Sequence, residues 1–229
     1  MIKIYEDQKF ETFYDQNSSR TFTDLEFRRC HFVSSRISMT RDPRRRTTVR
    51  NVKIIDCEQH GCALEAAIVE EGLVDGFKTH GLFQTWGAVF KHVRLQGKIG
   101  RLMTSPLVGT AMATPAQQKS FDEANTLYYS SVDWALDIRE ARFEEADLRG
   151  VPSRLVLRDP ETQFVLTRET ALQGKWKSVD LSGTYWKTAI ELFIETGMQD
   201  KVLVAPKGNA RFRPLLAGLW VLRDEGVVE

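Results

Sequence analysis

Four groups of residues combine types and spacings that could do chemistry. Asp56-Cys57-Glu58-Gln59-His60-Gly61-Cys62 collects thiols, carboxylates and an imidazole, the donor types of a metal site. A closed zinc site needs four ligands, and this Cys-x4-Cys spacing has no matching second pair, so no metal is expected. Arg41, Arg44, Arg45, Arg46 and Arg50, interrupted by Asp42 and Pro43, form the sharpest charge cluster. Such a cluster can grip a phosphate backbone or an acidic protein surface, and a solvated turn is the plainer explanation. His80 and His92 flank Trp86 in a glycine-rich stretch that would suit a cleft, although histidines on surface turns need no site. Glu70, Glu71 and Asp75 lie close in sequence, but glycoside cleavage needs two carboxylates at a defined spatial separation.

Other reaction classes lack their signatures. There is no Gly-x-Ser-x-Gly elbow and no cysteine-protease motif, and the four histidines, His31, His60, His80 and His92, are scattered. There is neither a Gly-x-x-x-x-Gly-Lys-Ser/Thr loop nor a convincing Gly-x-Gly-x-x-Gly, so no cofactor and no catalytic residue are assigned.

The elements that would carry these residues show an unusual period. Phe22 to Arg41 divides into FTDLE, FRRCH, FVSSR and ISMTR, with Phe22, Phe27, Phe32 and Ile37 at a spacing of five. Leu25, Cys30 and Ser35 stand two residues before the last three, which makes Cys30 core filler. Five matches neither the helical period of about 3.6 nor the strand period of 2. It suits a chain that turns a corner every five residues and points one large and one small side chain inward on each side. The pattern returns as LDIRE, ARFEE and ADLRG, with Ile138, Phe143 and Leu148 at the same spacing and Leu136, Ala141 and Ala146 two residues before them.

At residues 20–41 and 136–150 the sequence resembles the pentapeptide-repeat family, whose consensus Ala-Asp/Asn-Leu-X-X is matched by Ala146-Asp147-Leu148. The resemblance implies a mainly β fold, a right-handed parallel β-helix. Residues 49–102 have no regular five-residue spacing but hold seven of the fifteen glycines between short apolar pieces, which suggests a continuing solenoid or an antiparallel sandwich. Val74 to Leu95, near the length of one coil, favours the solenoid. Thr114-Pro115 predicts a helix start, and a polar helix over 116–127 makes 103–131 an excursion from the β pattern. Helical spacing over Tyr185–Thr196, ending at Gly197, and an apolar run over Pro214–Arg223 predict C-terminal helices that cap the open β end or recruit a partner. The expected organisation is a β-helix domain over 1–181 with a helix near 114–128, then a helical cap or appendage over 182–229.

Composition narrows the function. With 32 Lys plus Arg against 31 Asp plus Glu, the formal net charge of the 229-residue chain is +1. Gyrase-inhibiting pentapeptide-repeat proteins resemble duplex DNA through an acidic surface, and this balance departs from that pattern. Nucleic-acid binding, which leaves a basic footprint, is not expected either. No apolar run approaches the roughly 20 residues of a membrane span, and Met1 to Tyr14 has no signal-like apolar core. Three cysteines are too few for a disulfide framework, so a cytoplasmic setting is expected. The resulting expectation is a non-enzymatic protein-binding module, in concrete form a bacterial immunity protein that neutralises a cognate toxin. Arg44, Arg45, Arg46, Trp86, His80 and His92 are its expected contact residues. A β-helix enzyme acting on a polysaccharide is the alternative, and a gyrase- or nucleic-acid-associated role a weaker one.

Overall fold

The computed structural model describes residues 1–109 and 113–229. Strands β1 (Lys3–Glu6), β2 (Lys9–Glu11) and β3 (Tyr14–Gln16) form a first row. Over them, in the same order and parallel, lie β4 (Thr21–Arg28), β5 (His31–Val33) and β6 (Arg36–Met39). β7 (Thr48–His60) with β8 (Ala63–Glu65), then β9 (Ile68–Trp86), then β10 (Val89–Ser105), add further parallel rows. The pairings form four ladders. In one of them Phe22, Val49, Val69 and Phe90 stand in register. Of the other three, Tyr5, Phe27, Ile54, Val74 and Leu95 stand in register in the first. Phe10, Phe32, Gln59 and Thr79 do so in the second, and Ile37, Leu64, Thr85, Thr104 and Leu148 in the third. The fold is mainly β.

The five-residue period marks backbone corners. Residues 7, 12 and 17, then 24, 29 and 34, then 51, 56, 61, 66, 71, 76 and 81, and finally 87, 92 and 97 all have positive φ. Each except Asn17 follows an in-register central residue by two positions, and Asn17 follows the buried Asp15. Between Thr48 and its partner Ile68 there are four such corners, and between Ile68 and Val89 another four. Outside glycine this conformation is uncommon, with Asn and Asp enriched, and β-branched Thr12 at φ 51° is a true outlier. The corners persist because their amides still donate to the next row. Asp7 N–H reaches Arg28 O at 3.0 Å, Thr12 reaches Val33 O at 3.0 Å, and Ser34 reaches His60 O at 2.8 Å. Central side chains stack along the ladders, Tyr5 on Phe27 at 5.2 Å and Phe10 on Phe32 at 5.6 Å. Cys30 and Cys57 fill the small positions and are buried.

Helix α1 (Pro115–Tyr129) begins at the expected Thr114, whose side chain accepts from Gln117 N while Gln117 reaches back to the Thr114 amide. Thr110, Ala111 and Met112 of the expected excursion lie outside the described residues. After α1, β11 (Leu136–Asp137), β12 (Ala141–Leu148) and β13 (Val156–Leu157) extend the parallel ladders. Ile138, Phe143 and Leu148 are fully buried there.

A second core begins at Phe164, ahead of the boundary at 182 read from the sequence. The physical reason is a pairing the sequence does not announce. β14 (Gln163–Thr167) joins β15 (Asp200–Val204) antiparallel, and the pair buries one face against α2 (Arg168–Gln173), α3 (Trp186–Thr196) and α4 (Phe212–Asp224). Leu148 opposite Val202 links this unit to β12. The far edge of β14 is covered in turn, since Val165 and Glu229 exchange backbone hydrogen bonds of 3.0 and 2.9 Å. Among the described residues no helix is long and apolar enough to cross a membrane.

Phe143 sits where the parallel rows meet the C-terminal unit, with no exposed surface. Phe143→Ala is expected to cost about 3–5 kcal/mol in chemical denaturation, because a cavity there is walled by paired backbone. Leu127→Ala, on the solvent side of α1, is expected to change stability by less than about 0.5 kcal/mol.

Candidate functional site

In a strand, residues on either side of an inward position point outward. On the second ladder this places Lys9, His31, Glu58 and Lys78 in one outward column, and His60 beside His80 in the next. The register turns scattered residues into a cluster. His31 Nδ1 lies 2.7 Å from Glu58, and His80 Nε2 and Lys78 Nζ each lie 3.4 Å from it. The His60 and His80 rings sit 5.8 Å apart. Hydrogen bonding to His80, then the charges of His31 and Lys78, hold the Glu58 carboxyl below its ordinary value against desolvation. Lys9, Phe32 and Gln59 complete a shallow cavity of about 390 Å3.

The same face continues into a groove of about 590 Å3 beneath the loop after β15. Its walls carry Lys78, Lys98, Arg142 and Lys207 against Asp56 and Glu144, over a floor of Phe77 and Ile99. Lys98 and Arg142 are directly opposed in register, and among the described residues neither has an ion-pair partner. Like charges directly opposite on neighbouring strands are destabilising. This strip offers cations and imidazole N–H donors to an anionic surface.

The residues singled out from the sequence are dispersed. Arg46 is a correction: it is buried, not presented to a partner. Its Nη2 donates to Asn125 Oδ1 at 2.5 Å, and its guanidinium lies 4.8 Å from the Phe121 ring, both on α1. Desolvation brings its pKa down to about 10, so it is charged at neutral pH and fastens the helix to the strands. Arg44 and Arg45 are exposed, and Arg44 grips Asp42 through two bonds of 3.0 and 2.9 Å. That grip holds Asp42 at about 2. Trp86 belongs to the third ladder, His80 to the second, and His92 is the corner after Phe90, so they do not form one cleft.

The acidic trio is likewise divided. Glu70 pairs with Arg50 and accepts from Tyr128, Glu71 binds His92, and Asp75 accepts from Gln96. Strand alternation splits the Asp56–Cys62 segment, with Cys57 inward against Cys30 and His60 outward. Burial pushes the Cys57 thiol up to about 11, which leaves it an inert core group. Among the described residues no three His, Cys, Asp or Glu side chains are placed to hold a metal.

His31, Glu58 and Lys78 escaped the sequence reading as a site. Their signal is positional, since each stands one residue before an in-register centre (Phe32, Gln59 and Thr79). Comparison with protein-family models, curated proteins and solved structures gives no match to this chain. The chemistry of the strip is therefore read from its own geometry.

His92 forms a separate clamp. Its Nδ1 lies 2.7 Å from Glu71 and its Nε2 2.6 Å from Asp133, and its ring rests 4.6 Å from Trp134. Desolvation alone would lower the imidazole pKa, but the bonds to Asp133 and Glu71 outweigh it and raise the value above 6.5. A raised folded-state pKa gives stability that is present below the unfolded value and fades as pH climbs through the folded one. His92→Ala should therefore lower the melting temperature more below pH 6.5 than well above it. Equal effects at both ends of a pH series would show that the clamp is not ionic.

Proposed function

We propose that the chain is a pentapeptide-repeat-like, right-handed parallel β-helix that works as a non-enzymatic protein-binding module. Four positive-φ corners per row and parallel in-register ladders support the solenoid reading. Right-handed crossovers are the general rule for parallel strands. The observation that carries the binding role is the strip on the second ladder. There Lys98 faces Arg142 without a carboxylate partner among the described residues, and Lys78 and Lys207 border the same groove. A partner carboxylate set against this pair relieves repulsion that the free protein bears, which gives affinity and fixes orientation. The partner class is a protein with an acidic functional surface, and a cognate toxin neutralised by coverage of that surface is its concrete form.

Capture from native lysate tests this reading. The protein should retain a stoichiometric acidic partner, and Lys98→Glu with Arg142→Glu should abolish its recovery. Arg44→Glu with Arg45→Glu should leave recovery intact, because those side chains lie away from the strip. Undiminished capture by the Lys98/Arg142 variant would remove the strip from the binding role.

A further inference from the structure

The two ends of the stacked strands are finished differently. At the C-terminal end, β14 is paired by Glu229 and packed by helices. At the other end, β1, β2 and β3 pair only with β4, β5 and β6, and among the described residues nothing lies on their outer side. Their backbone donors and acceptors there form an unfinished edge, which is a template for another strand. Apolar side chains are exposed on the same row: Ile4 at 54%, Phe13 at 40% and Tyr14 at 57%. Tyr5 and Phe10, the first members of their stacks, are only half-buried. Asp15 is 3% exposed, yet its Oδ1 accepts no hydrogen bond.

We propose that a second copy of this chain completes this edge, in a two-fold dimer centred on β2. The occupant follows from the sequence of the edge itself. Across a two-fold axis normal to a sheet, a residue on the axis faces its own copy, and residues equally far on either side face each other. Centring on Phe10 sets Phe10 against Phe10 of the second copy and prolongs the Phe10–Phe32 stack. Lys9 and Glu11, which pair with each other on the free edge, then each also oppose their opposite charge on the other copy, twice, and both side chains are exposed. The five-residue frame carries the symmetry along the row. Tyr5 of one copy meets Asp15 of the other, two inward centres, so the phenol comes to the row that holds the unsatisfied carboxylate oxygen. Ile4 meets Gln16. Inward residues face inward ones throughout, which antiparallel pairing requires. Setting the same two edges together with strands parallel would turn the inward residues of one copy to the outside of the other and would oppose Lys9 to Lys9, so facing and charge together select the antiparallel arrangement. This inference does not rest on the proposed binding role.

Sedimentation equilibrium of the full chain, from micromolar to near-millimolar concentration, tests it with two variants of exposed residues. The unmodified protein should reach twice its 26.2 kDa mass. Lys9→Glu places like charges opposite each other at both symmetric contacts and should weaken the dimer about tenfold or more. Lys9→Glu combined with Glu11→Lys restores the complementary pattern and should restore the dimer. Circular dichroism melting of each variant shows that the fold is retained. A protein that stays monomeric across the range would overturn the proposal. So would a dimer indifferent to Lys9→Glu, or one that the double exchange fails to rescue.

Discussion

The hydrogen bond from a left-handed corner amide to the row beside it is the constraint on which the rest of this structure depends. A residue forced into positive φ loses on the order of 1–2 kcal/mol when it carries a Cβ. Among the described residues, eleven of the corners are such residues. Each is tolerable only while its neighbours over-determine it. The bonds from Asp7 to Arg28 and from Arg29 to Ile55 do this by stacking one corner on the next. Rows therefore support each other's turns, and an isolated row would relax.

That arrangement divides the labour between side chains. Central residues stack inward as aromatic, aliphatic and thiol columns, so little interior volume is needed for continuity. The residues beside them form outward columns at the strand spacing of about 4.8 Å. Residues distant in sequence become neighbours in register. Glu58 sits between His31 and the Lys78–His80 pair for this reason, and Lys98 faces Arg142 across a 44-residue interval filled by α1 and its approaches. Arg46 has a different task. It is a buried cation with no carboxylate partner among the described residues. Its Nη2 donates to the Asn125 amide oxygen and the Gly87 carbonyl, its guanidinium lies over the Phe121 ring, its Nε stays unpaired, and it ties the helical excursion to the strands.

Legibility in the sequence followed chemistry at the central positions. Phe22, Phe27, Phe32 and Ile37 announce the period because all are large and apolar, and Ile138, Phe143 and Leu148 repeat it. Between them the corners keep their spacing, with one step of six from Gly81 to Gly87, but the centres include Gln59, Thr79 and Thr85. Polar residues at these centres, two of them buried, hide the frame from any hydrophobic count. The loop over 40–47 adds to the difficulty. It makes the interval from Leu25 to Val52 longer than that from Thr48 to Ile68, so columns cannot be aligned by a fixed repeat. The helices were legible from Thr114-Pro115 and Gly197, where capping chemistry is local. The antiparallel partnership of β14 with β15 was not, because its signal depends on tertiary contact.

The corner spacing also restricts how such a chain can change length. One residue added within a side shifts every later side chain between inside and outside until the next irregular loop. Five residues preserve that alternation but carry everything beyond to a different side, which would scatter the His31–Glu58–His80 column. Only an addition spanning four corners returns each residue to its own column. Growth of this architecture is therefore quantised in whole rows. The segments 18–20 and 40–47, where the corner rhythm is already interrupted, are the places where single-residue insertions can be absorbed.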